Sequence, residues 1–407
     1  MYKKYVTPDF MPTREQMLSL IAGRIQPVQG TEIVFFSGAR GRIAAEDIRT
    51  QNTLPNTPVS RLDGIGVRFA DFAGGIPDTS AWTEGSEYYF SNTGVALRDG
   101  FDTVIRIEDV DVENGKLIIH RGPSAQGELV GAAGEHIAAG EILVPKGCRL
   151  TPAHIGLLAS GGVMSIPVTR RARVAILPTG DELLPAGSAP ARGKNIESNS
   201  HMLAAYIEEW GAEPYILPIL SDEFAAIKNA LSDAVRLYDA AVVIAGSSKG
   251  TADYTLDALA ALGEVLVPEM AHGPGKHSSL TLAGHKPLIG VSGPPMGAQV
   301  FAELYLRPII FTLLGLPAEP YPVIEAVIDE KMEAYEVDFC QKLHVYRAPD
   351  GYHAKLLMTS GPRTRTEMVA LANATLYQKA GCGHEAGMTA AVELMTPYSL
   401  VPAESLL

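Results

Sequence analysis

The strongest constraint in this chain is an alternation running from Val174 to Gly315, where short apolar runs are separated by stretches of helical periodicity. "RVAILPTG" predicts a buried strand ending at Leu177. In "SNSHMLAAYIEEWG", Leu203, Tyr206, Ile207 and Trp210 fall on one helical face, and Gly211 stands where a C-terminal cap belongs. "PYILPIL" predicts the next strand. "SDEFAAIKNALSDAVRLYD" offers Ser221 as N-cap and Asp222 and Glu223 in the first turn, with Phe224, Ile227, Leu231 and Val235 as an apolar stripe. "AAVVIAG" predicts a third strand, "ADYTLDALAALG" a third helix and "PLIGVSG" a fourth strand. "MGAQVFAELYLRPIIFTLLG" predicts a long helix interrupted near Pro308. Alternation of this kind implies a parallel sheet with helices on both faces.

The flanks read differently. A helical start around Met17, Leu18, Leu20 and Ile21 precedes Gly/Asp/Thr-rich sequence with short β-like runs such as "DTVIRIEDV" and "GKLIIHRG". "GEILVPKGCRLTPAHIGLLASGGV" reads as a return into the first module. Beyond Pro317, "PVIEAVIDE", "DFCQKLHVYR", "YHAKLLMT" and "AAVELM" are strand-like, and Pro349-Asp350-Gly351 is a hairpin-turn signal between two of them. The expected fold is multidomain α/β. A doubly wound parallel-sheet domain spans 171–318, a linker domain 1–50 plus 139–170, an inserted β-rich module 51–138, and a small C-terminal β domain 319–407.

Composition narrows the function classes. Lys and Arg total 33 against 46 Asp and Glu, a net charge of −13, so the chain lacks the basic surface of a general nucleic-acid binder. Cys148, Cys340 and Cys382 are far apart and form no C-x-x-C pair, which argues against a disulfide framework or a zinc site. The start has no apolar signal core, and "RPIIFTLLGLP" is too short and proline-broken to span a bilayer. A soluble cytoplasmic protein without membrane or nucleic-acid partners is expected.

In an open parallel sheet, ligands bind beyond the carboxyl ends of the strands. The loops placed there are Pro178–Leu184, Leu220–Phe224, the loop in "AGSSKGTADYT", and Val291–Gly297, with "HGPGKHSS" just upstream. In the third of these, Gly246 and Gly250 permit close backbone approach to an anion, Ser247 and Ser248 add hydroxyl donors, and Lys249 adds a cation. The same glycines also suit a plain strand-to-helix connection. Neither the P-loop pattern nor the dinucleotide G-x-G-x-x-G fingerprint is present. Asp181, Glu182, Asp222 and Asp253 recur on the same edge, where they could hold Mg²⁺ or simply favour helix N-termini. His272, Lys276 and His277 surround a turn that suits an oxyanion contact by Lys276 or a solvated loop.

Taken in order, these loops resemble the MoeA family of molybdopterin molybdenumtransferases, which includes the C-terminal part of gephyrin. The resemblance runs from about Pro12 to Leu394. It is carried by "GRIAAEDI", "LPNTPVSRLDGIGVRF" (Ser60, Asp63, Gly64), "NTGVALRDGFDTVIRIED" (Thr93, Gly94, Glu108), "GEHIAAGEILVPKGCRLTPAHIGLLASGG", "ILPTGDELL", "GTADYT", "GPGKH" and "TSGPRTRTEMVALANA". The resemblance implies a MogA-like central domain and insertion of molybdenum from molybdate into adenylylated molybdopterin with Mg²⁺. It implies activity at Asp63, Thr93, Glu182, Asp222 and Asp253, with Glu182, Asp222 and Asp253 as metal ligands. It further implies pterin and phosphate binding by Thr179, Gly180, Asp181, Gly246, Ser247, Ser248, Lys249, Gly250, Gly275, Lys276 and Pro295. A homodimer and an upstream molybdopterin adenylyltransferase are the implied partners.

Several positions depart from the family pattern. Ala245 replaces the first glycine of the G-G-x-S-x-G loop, and Ile65 replaces the aromatic after D-G. Glu269 and Gly273 stand where two lysines precede the P-G-K turn, and Ser292-Gly293-Pro294-Pro295 replaces P-G-N-P. The β-rich module looks shortened between Phe69 and Thr93. Lys249, His272 and His277 are candidate replacements for the missing charge. The alternative is a paralogue that keeps the pterin pocket as a carrier or maturation factor without full catalysis.

Overall fold

The computed structural model describes residues 8–245, 254–357 and 370–403. The chain divides into two compact units, Gly30–Thr169 and the combination of Met1–Gln29 with Arg170–Leu407.

In the Gly30–Thr169 unit, the strand Thr31–Phe35 pairs antiparallel with Ser165–Thr169, so the chain after residue 140 returns beside its own start. The helix Pro152–Ser160 opens on a capping box, in which the Thr151 hydroxyl and the His154 side chain satisfy each other's backbone N–H. Ala44, Ile48, Val144, Leu158, Ile166 and Val168 form the core of this part. The inserted residues build a three-stranded antiparallel sheet with Gly64–Val67 between Tyr89–Ser91 and Thr103–Arg106. Gly64 is required there, because a Cβ would stand 2.0 Å from the Ile105 carbonyl oxygen. A hairpin of Val110–Glu113 and Lys116–Ile119 turns through Asn114 and Gly115, both at positive φ (53° and 74°), the signature of a tight primed turn. Ile65, Val67, Ile105, Val110, Leu117 and Ile119 make up the core of the module.

The second unit contains the expected doubly wound sheet. Its strand order is Glu213–Ile216, Arg173–Pro178, Ala240–Ala245, Lys286–Ser292, Ser279–Ala283, Glu264–Val267. The first four are mutually parallel, and Ser279–Ala283 is antiparallel to both of its neighbours. That antiparallel strand and the Glu264–Val267 edge were not legible in the sequence, and "HGPGKHSS" read only as a loop. Two of its residues, His272–Gly273, instead pair with Asp338–Phe339, and Ser279 opens a strand. Helices Asn199–Glu209, Pro295–Phe301 and Arg307–Leu313 lie on one face, and Phe224–Leu237 and Thr255–Ala260 on the other. The N-terminal helix Arg14–Arg24 packs on Arg307–Leu313.

The helix boundaries follow local chemistry. Asn199–Glu209 ends in a Schellman motif, with Gly211 at φ 97° donating to Glu208 O, and Ala212 N–H donating to Ile207 O. Ser221 does not cap the following helix, which starts at Phe224 with Glu223 at the N-cap and no side-chain cap. The reason is tertiary: Leu220 N–H donates to Pro178 O and Leu220 O accepts from Gly180, so the extended ladder runs past the strand end. Asp222 and Glu223 therefore precede the helix. The long helix near Pro308 relaxes into a π turn over Ala302–Leu306 before it resumes, because Pro308 cannot donate a backbone hydrogen bond.

The C-terminal strands Asp338–Ala348, Gly351–Leu356, Val323–Ile328, Thr389–Leu394 and Ala374–Gln378 close into a barrel, the last pairing again with the first. Pro349 and Asp350 form the two-residue loop of its first hairpin. Ala374–Gln378 is the barrel strand that short apolar runs alone did not mark.

Candidate functional site

The first loop is built by the strand before it. Thr179 donates to Ile244 O from its N–H at 3.0 Å and from Oγ1 at 3.1 Å, which buries it against the neighbouring strand. Gly180 follows at φ 149°, a conformation open to glycine. A Cβ on Gly180 would stand 2.8 Å from Glu182 Oε2 and 2.9 Å from Oε1, so the Glu182 carboxylate lies over this backbone. The Asp181 N–H points to Asp222 Oδ2 at 3.4 Å. Local sequence thus places Thr179, Gly180, Asp181 and Glu182, and the sheet delivers Asp222 from the next loop.

Residues that the motif reading missed hold this loop in place. Leu183–Leu184 pairs in parallel with Asn195–Ile196, and Lys194 Nζ donates to Asp181 O at 2.6 Å. The buried Glu197 carboxylate accepts from Ser200 N–H at 2.8 Å and from Ser200 Oγ at 2.5 Å. Asn199 Nδ2 donates to Gly293 O at 2.7 Å, tying the start of its helix to the fourth loop. A cavity of about 540 Å³ opens beside the signature loop, with Gly180, Asp181, Glu197, His201 and Ser221 among its walls. The polar run "ESNS" was a visible signal for Glu197 and Asn199; Lys194 carried none.

The fourth loop and the P-G-K turn meet through glycines. Gly275 sits at φ 91°, and a Cβ there would lie 3.1 Å from Gly297 O. Pro295 opens the helix Pro295–Phe301, the first turn of which contains Gly297. Glu269, the acid at an expected lysine position, is buried and accepts from His277 Nδ1 at 2.9 Å, with Lys276 Nζ 4.0 Å from its other oxygen. The charge of this turn is therefore internally compensated. His272 is not a replacement cation. It is 1% exposed, its Nε2 faces Tyr305 OH at 2.6 Å, and burial pushes its pKa down to about 4, leaving it neutral near pH 7.

In the Gly30–Thr169 unit, Asp63 and Thr93 form their own cluster. Thr93 donates to Asp63 Oδ1 from its N–H at 2.7 Å and from Oγ1 at 3.0 Å. These bonds hold the exposed Asp63 carboxyl below the usual carboxylate range, so it is ionised at neutral pH. The S-x-x-D-G and T-G motifs interlock here: Gly94 N–H donates to Ser60 O at 2.8 Å, and Ile107 N–H to Asp63 O at 2.9 Å.

Gly246, Ser247, Ser248, Lys249, Gly250 and Asp253 lie outside the described residues, as does the stretch from Thr359 to Val369. Among the described residues no three His, Cys, Asp or Glu side chains gather as a ready metal cage, and no helix is long and apolar enough to cross a membrane.

Residues 13–162 match the MoeA N-terminal region (domain I and II), and residues 175–312 match a probable molybdopterin binding domain. A molybdopterin molybdenumtransferase of Bacillus subtilis is 32% identical over 73% of this chain and 74% of its own length. One of Nostoc is 29% identical over 79% of this chain and 78% of its own. A solved molybdopterin biosynthesis MoeA protein from Pyrococcus horikoshii superposes with a TM-score of 0.76 at 25% identity, covering 96% of this chain and all of that one. The interlocked S-x-x-D-G and T-G motifs, the doubly wound sheet with its signature loop, and this likeness along both units place the chain in the MoeA family of molybdopterin molybdenumtransferases.

Proposed function

We propose that this chain inserts molybdenum from molybdate into molybdopterin, with the adenylylated pterin as acceptor and Mg²⁺ as the metal cofactor. The observation that carries the reading is the retained acid set in a chain of this family: Asp63 gripped by Thr93, Glu182 folded over Gly180, and Asp222 facing Asp181. Glu182 and Asp222 offer the hard carboxylate oxygens that Mg²⁺ prefers, beside strand ends where a phosphate can complete the coordination. Held by these carboxylates, Mg²⁺ would neutralise charge on the anionic substrates. The chain's own groups supply position. Thr93 orients the Asp63 carboxylate, the Thr179 bonds hold the loop against the sheet, and Asn199 couples that loop region to Gly293. Asp253, Gly246, Ser247, Ser248, Lys249 and Gly250, together with Gly275, Lys276 and Pro295, are assigned to the pterin and its phosphate by the same family reading.

The same reading assigns a homodimer, an upstream adenylyltransferase that supplies the pterin, a cytoplasmic setting, and the domain boundaries read from the sequence. Purified protein mixed with adenylylated molybdopterin, Mg²⁺ and molybdate is expected to release adenylate and form molybdenum cofactor. Pterin binding without adenylate release would instead assign a carrier role.

A further inference from the structure

Molybdate and a pterin phosphate are both tetrahedral oxyanions, and a site for them needs positive donors. The structure accounts for most of the nearby candidates. His272 is buried and neutral, and Lys276 and His277 flank the Glu269 carboxylate. Lys194 differs. Its ammonium donates to the backbone oxygen of Asp181 at 2.6 Å, a neutral acceptor, and it forms no salt bridge among the described residues. An ammonium has three donors, so the charge and two N–H groups remain for a ligand. Its backbone is anchored as well: the adjoining Asn195 N–H donates to Glu182 O at 2.9 Å, and Asn195–Ile196 is laddered to Leu183–Leu184. The cation is thus carried on the same loop pair as Asp181 and Glu182, in a chain of net charge −13.

We infer that Lys194 binds the tetrahedral oxyanion of the substrates at the signature loop, as phosphate or as molybdate, supplying charge that the compensated Glu269 turn does not. Lys194 is a binding residue for the reaction proposed above, and the inference rests on that reading for its substrates. Its test uses the ions alone, so the two can fail separately.

Wild-type protein, Lys194→Gln and Lys194→Arg are titrated by calorimetry with molybdate alone and with inorganic phosphate alone. Glutamine removes the charge and keeps an amide N–H donor on a side chain one atom shorter. Loss of a charge-assisted contact predicts that Lys194→Gln weakens binding of one ion by about 10- to 100-fold, while Lys194→Arg stays within about threefold of wild type and both variants melt like it. The ion that loses affinity identifies the source of the oxyanion. Unchanged binding of both ions in Lys194→Gln overturns the inference, and so does a wild-type chain that binds neither. If Lys194→Gln unfolds, the Lys194→Arg titration decides: binding of both ions more than tenfold weaker than wild type in that charge-conserving variant overturns it. Wild-type protein that binds an ion through Lys194 yet forms no cofactor removes the proposed activity and leaves this site standing.

Discussion

Replacing Lys342 with methionine tests how the α/β sheet and the C-terminal barrel are held together. Lys342 is fully buried on the barrel strand Asp338–Ala348, and its Nζ donates to Glu303 Oε2 at 2.5 Å and to Thr375 Oγ1 at 3.0 Å. Glu303 lies in the π turn and is 3% exposed; its other oxygen accepts from Tyr206 OH at 2.9 Å. Lys342→Met leaves the buried Glu303 carboxylate with one neutral donor, Tyr206 OH, and no ion-pair partner among the described residues. Breaking a buried pair from one side costs about 3–5 kcal/mol, which for a unit of this size lowers the melting temperature by roughly 10 °C. The double variant Lys342→Met/Glu303→Leu removes both charges. Tyr206 OH then still accepts from Gln299 Nε2 at 3.2 Å, so the double variant should sit within about 2 kcal/mol of wild type. Urea unfolding can be followed by the fluorescence of Trp210, which stacks on Tyr206 with ring centroids 5.1 Å apart, in a Trp82→Phe background. A Lys342→Met protein as stable as wild type, or a double variant less stable than the single, would refute the reasoning.

Glu182→Gln keeps the shape over Gly180 but removes the anionic ligand, so turnover should vanish while circular dichroism and melting stay unchanged; retained turnover would take Glu182 out of the site. Glu269→Gln removes the acid 4.0 Å from Lys276 and 2.9 Å from His277, and calorimetry should show oxyanion affinity raised by about three- to fivefold. His353 is clamped by Asp329 at 2.8 Å and Asp350 at 3.1 Å, and the Asp329 bond raises its pKa. A raised histidine pKa stabilises the fold below its unfolded value near 6.5, and that stabilisation is lost as pH rises through the folded value. Melting measured across this window should therefore decline with rising pH in wild type and lose that component in His353→Gln.

The parallel strands were legible because a strand buried on both faces must be continuously apolar, as "RVAILP" and "AAVVIA" are. The Gly211 cap was legible because a Schellman motif is local chemistry. The Ser221 cap was not, because a hydrogen bond from Leu220 to a different strand outweighed a good capping residue. Glu264–Val267 escaped because a four-residue, partly exposed edge strand carries little periodicity, and Ser279–Ala283 escaped because it buries Ser279 and Thr281 where a continuously apolar run would be expected.

The site divides along the same line. The alternation, the family motifs and the order of residues within one loop, such as Thr179 to Glu182, can be read along the chain, since they depend on near neighbours. Packing in three dimensions sets Asp222 against Asp181, lets Thr93 grip Asp63, has Glu269 compensate its own turn, and brings Lys194 to the signature loop. Those contacts join residues 7 to 41 positions apart, and hydrogen bonding and charge compensation act over ångströms of space, which the order of residues does not record.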